Sequence, residues 1–122
     1  MMSLPHGRIL LLIGWILIAA VVVGSLVPDL PSLGLSISDK VRHYVAYLIL
    51  MSWFSGIYPR ERHVLLAVAF VLMGAALELM QGLLTATRAM ELGDFAMNLL
   101  GIATALVLAR LGLGNWARRL DQ

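Results

Sequence analysis

The sequence predicts an all-α fold: an integral membrane bundle of four transmembrane helices. Three observations carry that expectation. Hydrophobic residues make up 61% of the 122-residue chain and charged residues 13%, against roughly 45–50% and about 25% in ordinary globular chains. The apolar residues gather into four runs close to the length of a bilayer crossing, about 20 residues with a range of roughly 17–25. Backbone polar groups in lipid must be satisfied within each segment, so every such run is expected to be a helix.

The first run covers residues 9–27 and is ended by Pro28 and Pro31. Arg8 precedes it, as a basic residue precedes a secretory leader. The run nevertheless exceeds the roughly 7–15 apolar residues of a leader core and lacks an Ala-x-Ala cleavage site, so it is read as an uncleaved span. The second run, residues 41–57, is the shortest. The third covers residues 64–84, and the fourth about residues 91–113. Short connections between neighbouring hydrophobic helices predict a compact bundle occupying residues 1–122 as a single domain, with no repeat, linker or second domain.

Charge and cysteine content narrow the function classes. A formal net charge of +2, with basic residues scattered along the chain, gives no footprint for nucleic acid. There is no Cys, which excludes disulfides, thiolate chemistry and Cys-ligated metals. With the N-terminus in the cytoplasm, the inner side would hold Arg8, Arg60, Arg62, Arg110, Arg118 and Arg119, and the outer side Lys40, Arg42 and Arg88. Together these are all nine Lys and Arg residues, and their bias favours both termini inside by the positive-inside rule. Trp53, Tyr58 and Trp116 then fall near the inner interface, and Arg110 can snorkel toward it.

The polar residues form three stripes. Lys40, His43, Tyr44 and Tyr47 share one face of the second span, at i, i+3, i+4 and i+7. Glu78 and Gln81 share a face of the third. Glu91, Asp94, Asn98 and Gly101 share a face of the fourth. At 1.5 Å per residue, Glu78 lies roughly 9 Å below Leu84, Asn98 roughly 10 Å below Glu91, Tyr47 roughly 10 Å below Lys40 and His43 about 4–5 Å below it. Alternating spans put all three stripes at the same end. Polar groups within membrane segments face the bundle or a watery cavity, and a mid-membrane carboxylate costs a few kcal/mol on insertion scales. The stripes therefore predict an aqueous pocket opening on the outer face.

Simpler roles compete for single residues. Ser38 suits a helix N-cap, and Asp39 and Asp94 suit the positive end of a helix dipole. Gln81 and Asn98 could serve as interhelical hydrogen-bond glue, and Tyr44 and Tyr47 as interfacial belt residues. Arg42, off the Lys40–His43 stripe, reads as a lipid anchor. Lys40, Arg42 and His43 oppose the dipole at a helix start, so an anion must compensate them. Glu78, Asp94 and Glu91, or a lipid phosphate, could supply it.

In order, S-D-K-V-R-H-Y-V-A-Y (38–47), E-L-M-Q (78–81), then Arg88, Asp94 and N-L-L-G (98–101) resemble the VanZ-like family of bacterial membrane proteins. The resemblance covers about residues 36–103. Carried over residue by residue, it implies shared roles for Asp39, Lys40, His43, Tyr47, Glu78, Gln81, Arg88, Asp94, Asn98 and Gly101. It also implies a multi-pass protein of the bacterial inner membrane. The family's namesake gives low-level resistance to teicoplanin, which acts at the outer cell surface, and resistance can be a side effect of envelope chemistry.

Three classes of function are compatible with the stripes. A binding module would engage a lipid headgroup or lipid-linked envelope molecule through Asp39, Lys40, Tyr47, Gln81, Arg88 and Asn98, and so modulate the envelope or its glycopeptide susceptibility. An enzyme on a phosphate-bearing lipid or lipid-linked glycan would use Lys40 and Arg88 as an anion clamp. His43, Glu78 and Asp94 would be its acid–base candidates. A proton-coupled carrier would relay protons through Glu, His and Asp, and at this size would need an oligomer. Membrane lipids or a lipid-linked molecule are the expected partners, with a homo-oligomer left open and no nucleic acid. His43, Glu78 and Asp94 could also hold a divalent ion, but no ligand motif of the H-E-x-x-H type is present. No metal and no cofactor is assigned.

Overall fold

The computed structural model describes residues 7–26, 39–84, 92–114 and 116–117. Helix α1 is Gly7–Leu26, α2 is Asp39–Ile57, α3 is His63–Leu84 and α4 is Leu92–Leu108. The described residues are thus all-α, and each helix starts or ends within two residues of the expected run except at the end of α4. There the helix gives way to one wide turn, Ala109–Leu113, in which Gly112 adopts φ +130° and the Gly114 amide donates to the Ala109 carbonyl at 3.2 Å. Only glycine takes that backbone geometry without strain, so the fourth run bends where an unbroken span was expected. Between α2 and α3, Pro59 starts a single tight turn, Arg60–Arg62. The Arg62 amide there donates to the Pro59 carbonyl at 2.9 Å.

The chain is dressed for lipid. Large apolar side chains point outward along three of the helices: Leu12, Trp15 and Ile16 on α1, Leu65, Val68 and Leu72 on α3, Leu100 and Val107 on α4. Among the buried groups are instead the polar Glu78, Asp94 and Asn98. A monomer in water rarely exposes so much contiguous apolar surface; in hydrocarbon this distribution is the favourable one. Three stretches are long and apolar enough to cross a bilayer, Gly7–Ser25, Arg60–Met80 and Gly93–Leu113. The protein is a multi-pass membrane protein built from them.

Helix α2 is the exception, and the reason lies in its faces. It is 19 residues long, but Lys40, Arg42, His43, Tyr44 and Tyr47 make its first half polar. Its outward stripe of Val41, Val45 and Ile49 remains apolar. Its other face continues from Tyr47 through Leu50, Met51 and Phe54, which pack with Phe70 of α3 and Ile102 and Ala105 of α4 as the core. So α2 is the central helix, with a polar upper half and an apolar lower half on one face.

Contacts between helices fix their directions. The first turns of α2 meet the first turns of α4, through His43 and Asn98, so these two run parallel. Glu78, near the end of α3, joins the same group, so α3 runs against them. At the other end, the Trp53 indole N–H donates to the Leu10 carbonyl of α1 at 2.9 Å, so α1 is antiparallel to α2. Helices α2 and α4 approach most closely at Gly101, where any Cβ would strike the Tyr44 carbonyl oxygen and come within 2.9 Å of the Leu48 nitrogen. Small residues allow such backbone approach in membrane bundles.

Candidate functional site

Three helices deliver one side chain group after another to the same place. On α2, residues 40, 43 and 47 lie on one face, and the close approach at Gly101 presses that face onto α4. His43 Nδ1 donates to Asn98 Oδ1 at 2.9 Å. Its Nε2 lies 3.5 Å from Asp94 Oδ2. Asp94 and Asn98 are four residues apart on α4, one helical turn, so Asn98 holds one imidazole nitrogen while Asp94 lies against the other.

Glu78 completes the group from α3. One potential ligand atom from each of His43, Glu78 and Asp94 lies within 4.8 Å of the others. Glu78 is 4% exposed, Asn98 2% and Tyr47 1%. Asn98 turns its Nδ2 toward α3, since a Cβ added to Gly74 would sit 3.1 Å from that nitrogen and 3.5 Å from the Tyr47 hydroxyl oxygen. Gly74 is one turn before Glu78, so Tyr47 and Asn98 form the floor of the group.

Lys40 stands at its edge. It is exposed, and its Nζ would lie 3.4 Å from a Cβ on Gly93, the residue before Asp94. A cation at the rim and two carboxylates beneath it form a graded site, positive outside and negative within. One carboxylate oxygen, Asp94 Oδ1, is buried with no hydrogen-bond partner among the described residues.

Comparison with known proteins adds no assignment to this geometry. No family model, no curated protein and no solved structure matches the chain. The site therefore stands on its own residues.

Of the residues singled out in the sequence, Lys40, His43, Tyr47, Glu78, Asp94 and Asn98 are brought together. Arg88 and Glu91 lie outside the described residues, as do Ser38 and the side chains of Asp39 and Gln81. Tyr47 is a core residue and not an interfacial belt residue. The Tyr44 hydroxyl donates to Thr104 Oγ1 of α4 at 3.0 Å. Nothing in the sequence marks Thr104 as the acceptor.

The opposite end holds polar contacts that periodicity does not reveal. Trp116 folds back so that its indole N–H donates to the Ser52 carbonyl at 2.8 Å and its ring meets Trp53 edge-on, with centroids 4.9 Å apart. The ring occupies the space above Gly56 where a side chain would otherwise be. His63 is buried, and its Nε2 donates to the Tyr58 carbonyl at 3.0 Å. The aromatic residues expected at the inner interface thus also tie α1, α2 and the chain after α4 to one another.

Proposed function

We propose that this chain is a VanZ-like membrane protein of the bacterial inner membrane, in which α2 makes a fourth crossing and the polar cluster opens on the outer face. There it engages the phosphate of a lipid headgroup or lipid-linked envelope molecule, and so modulates the envelope or its susceptibility to glycopeptides. The observation that carries this is the burial of Glu78, Asp94 and Asn98 against the part-buried His43, from three helices, with Lys40 at the rim. Polar groups set this deep in a membrane segment are costly unless they serve a site. A rim ammonium is a compact point charge suited to a phosphate, and Arg88 would add a second cation from the α3–α4 connection. The VanZ-like resemblance of residues 36–103 supports the same reading.

A second reading is favoured by one feature. The imidazole of His43 is held at Nδ1 by Asn98, with the Asp94 carboxylate 3.5 Å from Nε2, as an acid–base group must be oriented. In that case the bound phosphate lipid is a substrate.

The test is a titration of the detergent-purified chain with phosphatidylglycerol, a polyprenyl phosphate and phosphatidylcholine. Preferential binding of one of the first two, weakened about tenfold, or about 1.4 kcal/mol, by Lys40→Ala, is the expected result. Equal binding of all three lipids, unaffected by Lys40→Ala, would contradict the proposal. Product formed from the phosphate lipid by the wild-type chain and abolished in His43→Ala would place the protein among enzymes. Proton flux in liposomes that tracks Glu78 would make it a carrier.

A further inference from the structure

Within the His43–Glu78–Asp94 trio, Asp94 has hydrogen bonding that is incomplete among the described residues. Because His43 Nδ1 donates to Asn98 Oδ1, a neutral imidazole carries its lone pair on Nε2. That lone pair faces the Asp94 Oδ2 carboxylate oxygen at 3.5 Å, longer than an ordinary N–H···O bond of about 2.7–3.2 Å. Two atoms each about 2.0–2.1 Å from a tetrahedral metal ion are held about 3.3–3.4 Å apart. The Asp94 side chain is 10% exposed, and its other oxygen, Oδ1, is buried without a hydrogen-bond partner among the described residues. The lone pairs of Oδ1 are therefore engaged by no donor among the described residues, while Oδ2 lies beside the His43 ring. Glu78 brings a third ligand atom within 4.8 Å of those from His43 and Asp94.

The geometry points to a divalent first-row transition-metal site, held by His43 Nε2 and the carboxylates of Asp94 and Glu78. Charge favours it as well as distance. Two ionised carboxylates and a neutral imidazole are balanced by one dication, which leaves the Lys40 ammonium for an anion; an imidazolium would balance only one carboxylate and would need Lys40 from the rim for the other. Asn98 then acts as the outer partner of a ligating histidine, fixing its tautomer and ring orientation. One imidazole with two carboxylates suits ions such as Zn²⁺ or Mn²⁺, while Mg²⁺ and Ca²⁺ take all-oxygen sets. Three protein ligands leave a coordination position for a water or for a phosphate oxygen, and Lys40 stands beside it. The metal uses the trio that headgroup binding also draws on, but it requires no lipid.

The test uses the full chain, purified in a phosphate-free detergent, stripped with a chelator, equilibrated with Zn²⁺ and desalted, with the retained metal counted by mass spectrometry. The wild type and Glu61→Gln, a change in an exposed residue of the Arg60–Arg62 turn, are expected to retain one ion per chain. Glu78→Gln and Asp94→Asn should bind at least about tenfold more weakly, and Asn98→Ala roughly 10–100-fold more weakly. Replacing Zn²⁺ by Co²⁺ gives a readout on the wild type alone, independent of how any variant folds. Intense visible absorption of a four- or five-coordinate ion is expected. Wild-type chains that retain no Zn²⁺, variants that bind it as tightly as the wild type, or the weak spectrum of hydrated Co²⁺ would each overturn the site. No lipid enters this measurement, so its failure is distinct from a failure of headgroup binding.

Discussion

At the residue scale, Asn98 is the side chain on which the cluster turns. It accepts from His43 and faces its amide nitrogen toward Gly74 and the Tyr47 hydroxyl. Asn98→Ala removes the acceptor and leaves a His43 donor unsatisfied in a part-buried position, at a cost of about 1–3 kcal/mol. Thermal unfolding in detergent, followed by circular dichroism, should show that loss; an unchanged midpoint would mean that His43 does not depend on Asn98. The participation of Lys40, His43, Glu78, Asp94 and Asn98 was legible in the sequence, since helical spacing put each on a stripe and alternation put the stripes at one end. Their pairing was not. Spacing along one helix says nothing of which atom it meets on another, so the Tyr44–Thr104 bond and the seating of His43 between Asn98 and Asp94 emerge only from packing.

At the scale of elements, the α2–α4 contact decides whether the site exists. Gly101 admits the Tyr44 carbonyl and the Leu48 nitrogen so closely that a methyl group there must force the helices apart. Gly101→Ala is expected to destabilise the protein by about 1–3 kcal/mol through overpacking, and to weaken the proposed headgroup binding along with it. Gly24→Ala is the matching control, because nothing lies within 4 Å of a Cβ at that position on α1. It should be neutral or stabilise by up to about 1 kcal/mol, as glycine is a poor helix former. Equal unfolding midpoints for the two variants would refute the close approach. Helix limits were readable from hydrophobic runs to within two residues, apart from the end of α4. There the bend depends on Gly112 at φ +130°, and the run of apolar residues gives no sign of it. Nor does the sequence announce that Trp116 returns to Ser52, because that contact joins segments 64 residues apart.

At the scale of the whole molecule, an apolar exterior encloses a polar interior group, and the helices alternate so that this group lies at one end only. The opposite end carries the Arg60–Arg62 turn, the Trp53–Trp116 pair and the buried His63. Topology is then a question of sides: Lys40 and Glu61 flank α2 at its two ends, so a crossing α2 puts them on opposite faces of the membrane. The chain has no Cys of its own, which makes single-cysteine labelling unambiguous. The most direct measurement is therefore the reaction of Lys40→Cys and Glu61→Cys with a membrane-impermeant maleimide, in right-side-out and inverted vesicles. An outward-facing site predicts labelling of Lys40→Cys only in right-side-out vesicles and of Glu61→Cys only in inverted ones. Labelling of both from the same side, or the reverse assignment, would contradict it.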